Sequence, residues 1–123
     1  MKTVKVSELT PPALDWAAAE ANGTPIYRDG KTLSRVDVDG GEYWQPTLDW
    51  AQGGPIIELE EITLAWGKDT EDWWACVGDS RRFDTDTPDG VTTFVDPQPL
   101  IAAMRCYVAS KLGDEVETPE ELK

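Results

Sequence analysis

The sequence predicts an α+β fold: a small antiparallel β-sheet with two main helices packed on it, an αβα-type sandwich. Three observations predict it. Apolar residues recur at helical spacing in two segments, one near each end of the chain. Between them lie short stretches where apolar and polar residues alternate, separated by turn signals. A length of 123 residues suits one domain with a modest core. Residues 1–113 are read as that domain, and 114–123 as an acidic C-terminal tail with a mobile end.

Thr3 to Val6 alternates, with Val4 and Val6 on one face, and reads as a short strand. Thr10 followed by Pro11 is a helix-start signal: a hydroxyl cap, then a proline where no N–H is needed. The first helix is expected from Pro11 to Ala21. Leu14, Ala17, Ala18 and Ala21 give it a small-residue face suited to close approach to a sheet. Asn22–Gly23 ends it. Gly23 to Gly41 is turn-rich, with signals at Asp29–Gly30 and Gly40–Gly41. Short strands are expected at Ser34–Asp39, with Val36 and Val38 inward, and at Glu42–Gln45.

Asp49 to Pro55 is the most unusual segment. Gly53 and Gly54 predict a turn, and Pro55 predicts a short helical turn after it through Glu58. Ile62, Leu64 and Trp66 alternate as a strand, and Trp73 to Val77 pairs with it as an antiparallel hairpin. The second strand, WWACV, is apolar on both faces, which predicts a central strand covered on each side. Gly78 to Gly90 reads as a polar loop and Val91 to Val95 as an edge strand. The last helix is expected from Pro97 or Gln98 to Leu112, with Ile101, Met104, Val108 and Leu112 as its buried stripe and Gly113 as its stop.

Composition narrows the chemistry. The chain holds 24 acids against 11 bases, a net charge of −13. Such a surface repels phosphate backbones, which argues against direct nucleic-acid binding. No apolar stretch is long enough for a membrane span or a signal peptide, so the expected place is the cytoplasm. The sequence has no histidine, which removes Ser-His-Asp and Cys-His catalysis and the commonest metal ligand. Cys76 and Cys106 lie in apolar runs in no metal spacing and are expected as buried free thiols. No resident cofactor, metal site or catalytic residue is assigned.

Two features remain as chemistry-bearing candidates. Carboxylate groups at Asp37 with Asp39, Glu58 with Glu60 and Glu61, and Asp84 with Asp86 and Asp89 have the residue types for acid–base work or magnesium. With 24 acids in the chain, such spacings arise by chance. The Asp84–Gly90 stretch departs from a calcium loop, with Pro88 at the fifth position and Val95 at the twelfth, and reads as solvated. The aromatics are the better clue. Trp16, Trp44 and Trp50 are expected toward the surface, and Trp66, Trp73 and Trp74 in the core. A glycine turn before a helical turn presents backbone N–H groups that can hold an anion. The candidate ligand site is therefore Trp50, Gln52, Gly53 and Gly54, with Arg81, Arg82 and Arg105 supplying positive charge.

VSELT with ALDWA near the start, DWAQGGPIIE in the middle and PLIAAMRCYVASKLGDEVETPEEL at the end resemble the NinX-like proteins of lambdoid phages and prophages. The three blocks span most of the chain outside Ile62 to Val95. The resemblance implies a phage accessory protein in the host bacterial cytoplasm and transfers no catalytic residue. Three functions are carried forward. The first is binding of a host or phage protein. The second is sequestration of a small nucleotide-like ligand, as in host defence signalling. The third is a carboxylate enzyme using magnesium. A core this small also allows a homodimer.

Overall fold

Two alanine-rich helices meet at the centre of the fold, and their small side chains let the backbones approach closely. The computed structural model describes residues 2–37, 41–77 and 94–122. The elements run β1 (Lys2–Lys5), α1 (Ala13–Asn22), β2 (Ile26–Asp29), β3 (Thr32–Arg35), β4 (Glu42–Tyr43), α2 (Trp50–Leu59), β5 (Ile62–Gly67), β6 (Asp72–Val77), β7 (Phe94–Asp96), α3 (Pro99–Leu112) and β8 (Glu115–Thr118). The class is α+β as predicted. Among the described residues the antiparallel strands divide into three small sheets, β1–β8, β2–β3–β4 and β5–β6–β7.

The helix α1 begins two residues later than the hydroxyl-cap signal implies. Thr10 supplies its carbonyl to Leu14 N–H at 2.9 Å, and no side chain caps the helix. The reason is the second proline: Pro12 disfavours helical backbone at Pro11, so the helix cannot open there. Gly23, at φ 69°, closes it by donating back to Ala19 and Glu20. Leu14, Ala17 and Ala18 are wholly buried, as are Ala102 and Ala103 on α3. The small-residue face of α1 thus meets α3 and β8.

The helix α3 follows its predicted stripe, with Met104 and Val108 wholly buried, although Leu112 at its end is exposed. Central strand β6 lies between β5 and β7, with Leu64 opposite Ala75 and Ala75 opposite Phe94. Ala75 and Cys76 point to opposite faces and both are fully buried, so the strand's middle is covered on each side. Both cysteines are buried free thiols. Burial, with Cys76 nearby, pushes the Cys106 thiol up to about 12, which keeps it protonated and inert.

The chain end departs from the expected mobile tail. β8 pairs with β1 along its length, Lys2 facing Thr118 and Lys5 facing Glu115. Val116, Thr118 and Leu122 are buried. Alternation explains it: Val116 and Thr118 turn to the core while Glu115 and Glu117 face water. The loop read at Gly78–Gly90, with Arg81, Arg82 and the Asp84–Asp89 acids, lies outside the described residues, as do Val38 and Asp39. No described helix is long and apolar enough to cross a membrane.

Candidate functional site

The segment read as a glycine turn is the first half of a helix. Asp49 caps it, its carboxylate accepting from Ala51 N–H at 2.9 Å. The N–H groups of Gln52 and Gly53 donate to the Asp49 carbonyl at 3.0 and 2.9 Å, so they are not held out for an anion. Pro55 sits inside the helix and forfeits one hydrogen bond. What overrides the local glycine and proline signals is packing. A methyl group added at Gly53 would lie 2.6 Å from the Pro46 carbonyl oxygen and 2.7 Å from a Leu100 methyl. Gly54, one residue on, faces open space.

Gln52 is a buried strut. Its amide oxygen accepts from Gln45 N–H at 2.7 Å, and its NH2 donates to the Tyr43 carbonyl and to Glu42 at 3.1 Å. Arg105 is another: it donates to the Leu9 carbonyl at 2.9 Å and to Val95 and Asp96 at 3.3 Å. Of the predicted site, Trp50 alone among the described side chains stands well into solvent, 54 % exposed. Trp50, Gln52, Gly53 and Gly54 thus share α2 with divergent roles, Arg105 is engaged with other elements, and Arg81 and Arg82 lie outside the described residues.

The tryptophans sort differently from the sequence expectation. Trp44 is buried, its indole N–H donating to the Asp15 carbonyl at 2.8 Å. Trp16 is packed against the core with its indole N–H unpartnered. Trp66, expected inside, is 51 % exposed, because β5 is an edge strand and this residue stands near its end. Its ring meets Trp73 edge-on at 5.4 Å.

The sequence reading missed a buried carboxylate and an aromatic row. Asp15 accepts from the Thr47 N–H and hydroxyl, both at 3.0 Å. Burial pushes its carboxyl up to about 6, against the opposing pull of those two Thr47 bonds. In sheet β2–β3–β4, Tyr27 faces Ser34 and Ser34 faces Tyr43. Directly opposite residues share a face. The two tyrosines therefore flank Ser34 on one side, 62 % and 65 % exposed. The other side carries buried Leu33 and Trp44. Val36, expected inward, is exposed, because the hairpin around Gly30 ends β3 at Arg35. Had Asp29–Gly30 been read as a two-strand hairpin, alternation would have put Tyr27 outward.

The carboxylate groups disperse. Asp37 pairs with Arg35 at 2.9 Å, which holds it below the usual carboxylate range. Glu60 pairs with Lys111 at 3.1 Å, and Glu58 and Glu61 are exposed. Among the described residues no cluster of three or more acids or cysteines is placed to hold a metal. Residues 5–111 match the family described as Bacteriophage P22, NinX. No curated protein matches the chain.

Proposed function

The chain belongs to the phage P22 NinX family and is a phage accessory protein, and from that premise we propose that it works by binding a host or phage protein. One observation carries this reading: the exposed Tyr27–Ser34–Tyr43 row on an open sheet face. Tyrosine is enriched at binding hot spots because a large rigid ring costs little entropy to fix and brings a hydroxyl. Asp29 and Thr32 share that face and are exposed, so its chemistry is aromatic and acidic. With a net charge of −13, a basic partner is the complementary one.

The test starts with the full chain as bait in phage-infected host cells. A captured protein is then purified and its Kd measured by calorimetry. Tyr27→Ala combined with Tyr43→Ala is expected to weaken binding about tenfold or more. Affinity is expected to fall as salt rises. A partner bound equally well by the double variant removes the aromatic row from the account.

A nucleotide-like ligand remains a second reading on the strength of the exposed Trp50 indole. Saturable binding of a nucleotide, weakened by Trp50→Ala, supports it. A flat titration across a nucleotide panel removes it. The magnesium-enzyme reading draws no comparable support from the described acids.

A further inference from the structure

Two-stranded sheets leave two open edges, and register shows what the β1 edge presents. The ladder facing Lys2 with Thr118 and Lys5 with Glu115 continues to Val6, whose N–H donates to the Asp114 carbonyl at 2.8 Å. Hydrogen-bonded and non-hydrogen-bonded positions alternate in an antiparallel pair. Lys2, Val4 and Val6 therefore aim their backbone groups at β8, while Thr3 and Lys5 aim theirs outward. No other described strand takes up those outward groups.

A cavity of about 530 Å³ is lined by all four residues of β1, with Leu9 and Ala13 on its apolar wall. Successive strand residues point to opposite faces, so a cavity touching four in a row runs along the strand. Its volume lies in the range of ligand sites. Thr118, only 1 % exposed, also lines it. Lys2 and Lys5 are exposed, and among the described residues neither has an ion-pair partner. A lysine on an edge strand commonly serves only to prevent aggregation. That role needs no cavity along the strand.

The partner that β1 already has shows what it accepts: Glu115 opposite Lys5 and Val116 opposite Val4. A second β1 paired symmetrically about Val4 would set Lys5 opposite Thr3 and Lys2 opposite Val6, so it offers neither lysine an acid. Glu8 and Glu115 also border the groove, so register at Lys5, rather than a uniformly positive wall, places an incoming acid. We propose that this groove docks an extended segment of a partner protein. The segment adds as a third strand on the outer edge of β1, with an apolar side chain facing Val4 and Leu9 and an acidic one facing Lys5. The proposal rests on the protein-binding reading but on neither the tyrosine row nor the net charge: the whole surface favours a basic partner, and only the segment that meets Lys5 is acidic.

The test uses the full chain, labelled with nitrogen-15, and a blocked peptide of the sequence Gly-Asp-Glu-Val-Glu-Thr-Pro, which repeats residues 113–119. Saturable binding with slowed hydrogen exchange at the Thr3 and Lys5 amides is expected. A peptide with lysine replacing each glutamate is expected not to bind. Thr3→Pro removes an outward donor without touching the β8 ladder, a placement edge strands tolerate. It and Lys5→Glu should each raise Kd about tenfold or more. Tyr27→Ala with Tyr43→Ala should leave the titration unchanged, so failure of either site is read separately.

Five results overturn the proposal. The first is no saturable binding. The second is unchanged exchange at Thr3 and Lys5 in the bound state. The third is equal binding by Thr3→Pro. The fourth is loss of the Val6 amide's protection on binding, which shows the peptide replacing β8. Protection that rises with protein concentration alone assigns the edge to a second copy and also overturns it.

Discussion

The Asp49–Pro55 segment and the β1–β8 pair advertise opposite things in sequence and behave in opposite ways in the fold. The first has a tryptophan, two glycines and a proline within seven residues, and looks built for recognition. In the structure Gln52 and Gly53 are buried against Tyr43, Pro46 and Leu100. The second reads as a plain strand and a charged tail. In the structure it buries Val116, Thr118 and Leu122 and leaves a backbone edge and a cavity open. Unusual residues mark tight constraints, and a tight constraint arises from packing as readily as from a ligand.

The sharpest way to break this contrast is to attack the supposed tail. Leu122 is fully buried, so Leu122→Ala should destabilise by about 2–5 kcal/mol, the usual cost of emptying a core leucine site. Glu117→Ala, on the solvent side of the same strand, should stay within about 0.5 kcal/mol. Denaturant unfolding of both variants decides it. Equal, small effects would mean that the chain end contributes nothing to the packed body.

The Asp15 carboxylate gives the next largest effect, and it has a definite sign. Its folded-state value, about 6, lies above the ordinary 3.8. The native state therefore holds a proton that the unfolded chain has released. This contribution to stability is full below pH 4 and is lost as pH rises through 6, a change of roughly 3 kcal/mol. Asp15→Asn keeps an acceptor for the Thr47 N–H and cannot ionise. Its stability should fall less steeply across that window than the native chain's, as measured by urea midpoints at several pH values. Parallel slopes would place the pH dependence in the other acids.

Local signals carried the parts of the fold that depend on neighbours in sequence. α3 was legible from its stripe and from Gly113, and the β5–β6 hairpin from alternation around a polar turn. α1 was legible apart from its first turn. β8 was not, because its partner lies at the other end of the chain and a short acid–apolar alternation looks like a tail. α2 was not, because glycine and proline disfavour helices locally, and only contact with Pro46 and Leu100 reverses that. The glycine turn proposed within the candidate site was misjudged for the same reason. Its residues were chosen for exposed backbone, which the helix consumes, and Trp44 and Trp66 exchanged their expected places because no local pattern says which strand is an edge.

The adjacent glycines allow that explanation to be tested within one turn of helix. Alanine favours helix over glycine by about 0.5–1 kcal/mol, and that gain applies at both positions. At Gly54 the added methyl meets nothing, so Gly54→Ala should stabilise by that amount. At Gly53 it would press on the Pro46 carbonyl, which is backbone and cannot swing away, and on Leu100 in α3. Overpacking of this kind costs about 1–3 kcal/mol, so Gly53→Ala should lose stability despite the helical gain. Melting temperatures moving in opposite directions would tie Gly53 to close packing. A Gly53→Ala protein as stable as Gly54→Ala would mean that α2 does not sit this close to Pro46, and a recognition role for the Trp50–Gly54 turn would reopen.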